Sequence, residues 1–140
     1  MILKIKKTDE VNAVIPKYAN LGDAGLDLTI TSIEHIDTEH IKYSFGLALE
    51  IPKGYVGLIF PRSSCYKQRQ LLSNAVGVID NGYRGEISAV FLGTEYSSRY
   101  KIGERCAQLV IMELPNVEVI EVNELSNSER GTGSYGSSGK

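Results

Sequence analysis

Short runs in which apolar and polar residues alternate recur along most of this chain, and turn residues separate them every ~8–12 positions. The clearest run extends from Thr38 to Leu49, where every second residue from Ile41 onward is apolar. A period of two residues is typical of a strand with one buried face. About eight such strands favour an all-β protein, a jelly-roll-like β-barrel or sandwich.

One segment favours a helix. Ser63–Leu72 lacks the two-residue alternation, and Ser63 or Ser64 can cap its first turn. A helix of this length is marginal without tertiary support. The other predicted strands comprise residues 2–6, 26–30, 55–60, 105–114 and 117–122.

Length and charge exclude several classes of protein. With 140 residues the chain suits one domain, and a net charge of −2 provides no basic footprint for duplex nucleic acid. No run approaches the ~18–20 apolar residues needed to cross a bilayer, so we expect no membrane segment. The first residues, MILKIKKTDE, lack the apolar core of a signal peptide. We therefore expect a cytoplasmic or otherwise intracellular protein.

The cysteines and histidines give little sign of a metal site. Cys65 and Cys106 have no CxxC or histidine spacing around them, which leaves a disulfide, a zinc site and two free thiols open. An intracellular location favours free thiols. His35 and His40 lie in a polar stretch, and we expect both at the surface. All six arginines follow position 61, which favours an anionic ligand bound by the second half of the chain.

The stretch Ser73–Val90 predicts a β-hairpin. An apolar run climbs to Asp80, Asn81-Gly82 supplies a turn, and a second β-favouring run begins at Glu86. Asp80 and Tyr83 would then both lie at the tip of the hairpin, exposed to a ligand. Purely local roles remain open, because Asp is common in turns and Tyr in strands.

The last residues, SNSERGTGSYGSSGK, change in composition. Four of the protein's 14 glycines fall within the final ten positions, so we expect a flexible tail. Glycine-rich backbone can wrap phosphate oxygens, and an aromatic ring can stack on a base. The tail is therefore either a disordered end or a ligand-binding lid.

Five segments together resemble the five motifs of the homotrimeric dUTPases, in order and in spacing. They are Asp23–Leu28, Pro61–Ser64, Gly77–Gly85, Gly103–Gln108 and Arg130–Gly139. The resemblance extends from about Val14 to Gly139. It implies a dUTPase-like β domain over residues 1–125, a flexible C-terminal lid segment over residues 126–140, and hydrolysis of dUTP to dUMP and pyrophosphate.

The resemblance assigns the reacting groups. Asp80 matches the carboxylate that activates the attacking water at the α-phosphorus. Asp27 matches the acidic residue that anchors the hydration shell of Mg²⁺, the implied cofactor. One carboxylate is enough for this, because Mg²⁺ keeps several waters and binds mainly to substrate phosphates.

The resemblance also assigns the phosphate contacts. Arg62, Ser63 and Ser64 match the second motif, which lies against the phosphate chain, and Ser63 matches the serine that bonds the bridging oxygen of the leaving pyrophosphate. Gln108 matches a phosphate-contacting amide. Arg105 is interpreted as a structural salt-bridge residue and is left outside the site.

The nucleoside contacts follow in the same way. Asn74 lies six residues before Asp80, as the uracil-binding asparagine of the family does. Uracil would also pair with backbone near Gly77 and Ile79. Tyr83 matches the tyrosine whose ring lies under the deoxyribose and leaves no room for a 2′-hydroxyl.

The tail matches the fifth motif with substitutions. Arg130 matches the arginine that contacts the γ-phosphate. Tyr135 stands where the family usually has a phenylalanine that stacks on uracil, and a tyrosine ring can stack as well. Gly136, Ser137 and Ser138 complete the predicted substrate contacts, with Ser138 where threonine is more usual.

The family further implies a homotrimer in which each active site is shared among chains. Two other functions remain as alternatives. A dCTP deaminase-type relative shares the fold, but this chain has Val90 at the position of the catalytic glutamate. A nucleotide-gated protein-interaction module is the non-enzyme alternative. No residue specifies or excludes a regulatory protein partner.

Overall fold

A computed structural model describes residues 1–93 and 96–134 of the chain. These residues form two antiparallel sheets and one short 3₁₀ helix, η1, at Ser63–Gln68. The strands are β1 Lys4–Lys7, β2 Leu26–Thr29, β3 Ser32–His35, β4 His40–Glu50, β5 Tyr55–Pro61, β6 Gln70–Leu72, β7 Gly77–Ile79, β8 Glu86–Gly93 and β9 Arg105–Glu113. The predicted all-β, jelly-roll-like sandwich is confirmed.

Each sheet is built around long strands from distant parts of the chain. The first sheet has the order β1-β4-β8-β6, and β3 lies beside β1 along the same edge of β4. The second sheet has the order β2-β9-β5-β7, so that β9 lies between β2 and β5. The two inner faces enclose the core, as the alternating burial of β4 and β8 indicates.

An aromatic cluster fills one part of this core. The ring of Tyr43 contacts Phe91 and Tyr100 edge-on, with centroids 5.6 and 5.7 Å away. The Tyr43 hydroxyl donates to Oε1 of the fully buried Gln70 at 3.1 Å, whereas Gln70 Nε2 makes no hydrogen bond within the described residues. Burial raises the pKa of Tyr100 to about 12, so its hydroxyl stays protonated.

The predicted hairpin over Ser73–Val90 is wrong. β7 pairs with β5 in the second sheet, whereas β8 pairs with β4 and β6 in the first. Asp80–Gly85 therefore connects two sheets, with the Tyr83 N–H donating to the Asp80 carbonyl. A turn dipeptide predicts a reversal of the chain but does not determine which strand each arm will pair with.

Two other predictions fail at the level of single elements. The segment Ser63–Leu72 divides into η1 and β6, separated by Arg69 in the left-handed conformation with φ +52°. Residues 117–122 carry no strand, although four of the six are β-favouring valine or isoleucine. A strand needs a neighbour for its backbone hydrogen bonds, and this segment pairs with no strand in the part of the chain that the structure describes. β3 lies in the polar stretch that was not predicted as a strand.

The simpler expectations about surface and core residues agree with the structure. Cys65 and Cys106 are free thiols, and burial raises the pKa of Cys106 to about 12. His35 is exposed, and His40 is half-buried beside Asp37, whose carboxylate is 2.9 Å from His40 Nδ1. Within residues 1–93 and 96–134, no helix has the length and apolarity to span a membrane.

A bulge in β4 anchors the strand that follows the Asp80–Gly85 turn. The register of β4 with β8 shifts between Ser44 and Ala48. Gly46, in this bulge, has φ +64°, and its N–H donates to the Glu86 carboxylate at 3.2 Å. Glu86 also accepts from the Thr8 hydroxyl at 2.8 Å. The first residue of β8 is thus held from two sides.

We predict that Gly46→Ala destabilises the fold more than Gly54→Ala. Both glycines have positive φ, which costs alanine about 1–2 kcal/mol. A Cβ at position 46 would also lie 3.0 Å from the Cβ atoms of Ala13 and Asp9, whereas at position 54 it would meet nothing within 4 Å. Overpacking should add about 1–3 kcal/mol for Gly46→Ala.

Urea unfolding at one fixed protein concentration measures the difference in the free energy of unfolding. Gly54→Ala is the matched control, because it carries the backbone strain without the crowding. Equal losses in the two variants would show that the bulge tolerates a side chain.

Candidate active site

A cavity of about 380 Å³ opens where β2, β9 and the end of β5 meet. Its lining combines charged, hydroxyl and carboxamide groups with small residues. The lining residues are Ala19, Asn20, Asp23, Ala24, Gly25, Asp27, Arg62, Ser63 and Gln108. Four of the predicted site residues, Asp27, Arg62, Ser63 and Gln108, are therefore brought together.

Strand register explains why residues so distant in sequence meet here. Gln108 on β9 stands opposite Asp27 on β2 and opposite Phe60 on β5. Arg62 follows directly after β5, and its N–H donates to the Cys106 carbonyl at 3.1 Å. The central strand β9 therefore positions the side chains of both its neighbours.

A β-bulge on β9 completes the arrangement. Leu28 stands opposite Ala107, but Thr29 stands opposite Arg105, so Cys106 is an extra residue in β9. Without the bulge, Cys106 would stand opposite Thr29, on the face that carries Asp27. With it, Arg105 takes that place and Cys106 is buried in the core.

Asp27 holds two arginines at once. Its Oδ1 is 2.8 Å from Arg62 Nε, and its Oδ2 is 2.9 Å from Arg105 Nη1. The Asp27 side chain is only 18% exposed, so these ion pairs are partly shielded from water. The two guanidinium groups neutralise the Asp27 carboxylate, and the Arg62 guanidinium, which lines the cavity, is a donor suited to an anionic ligand.

Close packing fixes the carboxamide of Gln108. Its Nε2 approaches the Pro61 carbonyl at 3.5 Å. A Cβ at Gly25 would collide with Gln108 Oε1 and lie 2.9 Å from its Cδ, so the glycine leaves room for this side chain. Asp23, which was not predicted as a site residue, also lines the cavity, and its carboxylate accepts from the Asn20 N–H at 2.7 Å.

The two serines begin η1, but neither caps it. The N-cap residue is Arg62, and no side chain makes a capping hydrogen bond. Ser63 is exposed and lines the cavity, whereas Ser64 is half-buried and is not among the lining residues. The Cys65 N–H donates to the Arg62 carbonyl at 2.9 Å, which tightens this turn.

The predicted nucleoside contacts lie in two adjoining cavities elsewhere on the chain. Asn74 and Gly77 line one cavity of about 230 Å³. Ile79, Asp80 and Tyr83 line another of about 170 Å³. Ser88 on β8 borders both, so the two cavities lie next to each other.

Tyr83 is folded back over its own turn. Its hydroxyl donates to the Glu86 carbonyl at 3.1 Å, and a Cβ at Gly85 would collide with the ring. Arg84 Nη1 donates to the Asn81 carbonyl at 2.6 Å and to the Tyr83 carbonyl at 2.9 Å. The turn thus holds the ring in a fixed position while leaving it 47% exposed.

The residues predicted to bind phosphate and those predicted to bind the nucleoside line separate cavities of this chain. The cavity around Asp27 shares no lining residue with the cavities around Asn74 and Asp80. Arg130 lies apart from all three and donates from Nε to the Gly133 carbonyl at 3.0 Å. The predicted contacts Tyr135, Gly136, Ser137 and Ser138 lie outside the described residues.

Arg105 was left outside the predicted site, but the structure shows Arg105 in contact with a predicted site residue. The salt-bridge interpretation is correct, but the partner is Asp27, a predicted site residue. The sequence offered one sign of this contact: Arg105 lies only three residues before Gln108, another predicted site residue. An unbulged strand would place these two residues on opposite faces, which hid the connection.

Comparisons with known proteins agree with this geometry. The dUTPase family model matches residues 11–139. A deoxyuridine 5′-triphosphate nucleotidohydrolase of Hydrogenobaculum sp. (strain Y04AAS1) is 40% identical over 143 residues, which cover 99% of each chain.

Solved structures agree as well. A mutant dUTPase of Staphylococcus bacteriophage 80alpha, solved with dUpNHpp, superposes with a TM-score of 0.86 at 29% identity over 99% of each chain. A mutant dUTPase from phage phi11 of S. aureus, whose structure is described as revealing a structural Mg(II) ion, has the same fold. Its TM-score is 0.73 at 23% identity, covering 89% of this chain and 98% of that one. The sequence motifs, the fold and these matches lead to one conclusion: this chain belongs to the dUTPase family.

Proposed function

We propose that this chain hydrolyses dUTP to dUMP and pyrophosphate, with the cavity around Asp27 and Arg62 as its phosphate-binding half. One observation carries the proposal. A guanidinium, a serine hydroxyl and a carboxamide line a single cavity in a chain of the dUTPase family. Phosphoryl transfer depends mainly on positioning and on stabilisation of charge, and these groups supply both.

In this proposal the second and fourth motifs hold the triphosphate. The Arg62 guanidinium is a planar donor suited to phosphate oxygens. Ser63 and Ser64 donate hydroxyl and backbone hydrogen bonds, with Ser63 on the bridging oxygen of the leaving pyrophosphate. Gln108 donates from its carboxamide. The packing of Gly25 against Gln108 supports this role, because it fixes the donor before a ligand arrives.

The donor set fits Mg²⁺ as the cofactor. Asp23 and Asp27 bring carboxylate oxygens to the cavity, yet among residues 1–93 and 96–134 no three Asp, Glu, His or Cys side chains are grouped to hold a metal. Mg²⁺ in nucleotide enzymes binds largely to phosphates and waters. Asp27 would hold it through water, because both its oxygens already contact arginines. When bound, the ion neutralises charge on the triphosphate.

The nucleoside half supplies recognition of the base and the sugar. Asn74 pairs with the edge of uracil, together with backbone at Gly77 and Ile79. Hydrogen-bond mismatch rejects cytosine in such a pocket. Tyr83 lies under the deoxyribose and excludes a 2′-hydroxyl, a role supported by the fixed position of its ring over Gly85.

Asp80 is the proposed general base for the attacking water. It lines the same cavity as Tyr83 and is exposed at the start of the Asp80–Gly85 turn, where a substrate can reach it. The carboxylate takes a proton from water as the oxygen attacks the α-phosphorus, and pyrophosphate leaves. Much of the acceleration then comes from in-line positioning and from the hydrogen-bond donors of Arg62, Ser63 and Gln108.

The complete site is built from more than one copy of the chain, as a homotrimer. Two observations support this. The phosphate and nucleoside halves share no lining residue. Residues 117–122 are rich in β-favouring valine and isoleucine but pair with no strand of the described residues, and Val117 and Val119 are exposed to 72% and 89%. A neighbouring chain can bring its nucleoside cavities to the phosphate cavity of this chain, which completes the site. A neighbouring chain can also offer a sheet edge with which residues 117–122 pair.

The C-terminal segment, residues 126–140, is the proposed lid over the β domain formed by residues 1–125. Arg130 would contact the γ-phosphate, and Tyr135 would stack on uracil. The exposure of Arg130 and its lack of contact with either half of the site support a segment that closes only over a bound nucleotide.

We predict that the wild-type chain releases pyrophosphate from dUTP but not from dCTP, dTTP or UTP, and that a chelator slows this release. Asp80→Asn should lower kcat by about 10²–10⁴, because the base is lost while the binding groups remain. Affinity for dUpNHpp, measured by calorimetry, should change by less than about threefold. Glu10→Gln, which removes an exposed carboxylate outside the described cavities, is the matched control.

The same assay separates the alternatives. Ammonia from dCTP would assign the chain to the deaminase reaction despite Val90. Binding of dUpNHpp without turnover of any nucleotide would favour the interaction module. Full activity of Asp80→Asn would remove Asp80 from its role as base.

We predict that Gly85→Ala relaxes the discrimination between dUTP and UTP. The new Cβ collides with the Tyr83 ring and displaces it from under the sugar. The ratio of kcat/KM for dUTP to that for UTP should fall by about tenfold, mainly because kcat/KM for UTP rises once the ring no longer blocks the 2′-hydroxyl. Gly82→Ala, in the same turn, is the control, because its Cβ would meet nothing within 4 Å. Equal ratios in the two variants would contradict the role of the ring.

We predict that two inactive variants complement each other. Arg62→Ala removes the phosphate half, and Asp80→Asn removes the base. If the two halves of each site come from different chains, random mixing at equal ratio leaves about a quarter of the sites intact. Co-expressed variants should therefore recover about a quarter of wild-type activity, whereas variants mixed as folded proteins should recover little. Co-expression without any recovery would place both halves on the same chain.

A further inference from the structure

Arg105 lies one side chain away from the proposed phosphate site. It is absent from the lining of the cavity around Arg62, but it borders a second cavity of about 240 Å³, formed by residues 14–19 and Thr29. Asp27 borders both cavities, and so does Ala19. Arg105 can therefore influence a bound triphosphate through Asp27, without contacting it.

The ion pairs of Asp27 define how this influence would act. Arg62 uses its Nε on Oδ1, and Arg105 uses Nη1 on Oδ2. Each carboxylate oxygen is thus assigned to a different arginine. If Arg105 were absent, Oδ2 would be free to take a second N–H of Arg62, since guanidinium and carboxylate favour two parallel hydrogen bonds. Arg62 would then have fewer donors for phosphate.

The bulge on β9 indicates that the position of Arg105 is built into the strand. It is the bulge that places Arg105 opposite Thr29 and turns Cys106 into the core. The carbonyl of that same Cys106 accepts from the Arg62 N–H at 3.1 Å. One local irregularity therefore sets the backbone of Arg62 and the side chain of Arg105 together.

We propose that Arg105 is a positioning residue for dUTP hydrolysis: it holds and neutralises one oxygen of Asp27, and so keeps the Arg62 guanidinium available to the triphosphate. This role rests on the proposed function. Without Arg105, the Asp27 carboxylate competes for Arg62 and repels the phosphates. Bound Mg²⁺ offsets part of that repulsion, so the loss is largest when no metal is present.

Affinity for dUpNHpp, measured by calorimetry in chelator and in Mg²⁺, tests the proposal. Arg105→Met should weaken binding about five- to tenfold in chelator and by about twofold or less in Mg²⁺. In an Asp27→Asn background the same change should cost about twofold or less in either condition, because no carboxylate remains to be held. Turnover of Arg105→Met should show a raised KM with kcat within about threefold of wild type.

Two further variants test whether the effect is specific to a positive charge beside Asp27. Lys4→Met removes an exposed cation that contacts Glu50 at 2.7 Å, far from the site in the first sheet, and should leave the affinity unchanged. Arg105→Lys keeps a charge beside Asp27 and should recover most of the affinity in chelator. Arg105 is 51% exposed in its side chain, and thermal unfolding of each variant verifies that the fold is kept.

The outcomes distinguish two kinds of failure. If the wild-type chain does not bind dUpNHpp, the proposed function fails, and the positioning role fails with it. If wild type binds but Arg105→Met loses the same factor with and without the Asp27 carboxylate, Arg105 acts on phosphate directly. That result, or an unchanged affinity of Arg105→Met in chelator, would overturn the positioning role alone.

Discussion

The register of β9 between β2 and β5 is the constraint on which the rest of the site depends. One strand fixes Gln108 against Asp27 on one side and against the end of β5 on the other. Backbone pairing of this kind is insensitive to the surface side chains that it positions. The cavity can therefore carry unlike charges in close contact, because the strands and not the ion pairs determine where they stand.

The sequence predicted the class of fold and the elements that have a clear two-residue period. β4, β5 and β9 fall within two residues of their predicted bounds, since alternation with one buried face has few other solutions. The two-residue period could not predict which strands pair with each other. β7 and β8 flank a turn that suggests a hairpin, yet each pairs within a different sheet. Which edge is available depends on the whole topology, and no local pattern contains that information.

The sequence predicted which residues line the cavity better than it predicted the contacts between them. Asp27, Arg62, Ser63 and Gln108 were expected together and do share a cavity. The roles assigned to them, and to Asp80 and Tyr83, remain proposals. The contact of Arg105 with Asp27 was not predicted, because a bulge changes the face on which every earlier residue of the strand lies. The bulge at Cys106 leaves no signature in composition or in turn residues. The C-terminal contacts rest on motif resemblance alone.

The unpaired segment at residues 117–122 affects how readily a newly made chain aggregates. An exposed, β-favouring stretch can be captured by any available sheet edge, so a solitary chain is at risk of aggregation until the stretch is covered. If further copies of the chain cover this stretch, as proposed, low expression leaves it exposed for longer, because encounters between like chains become rare. For such a protein the rate of synthesis becomes part of the folding problem.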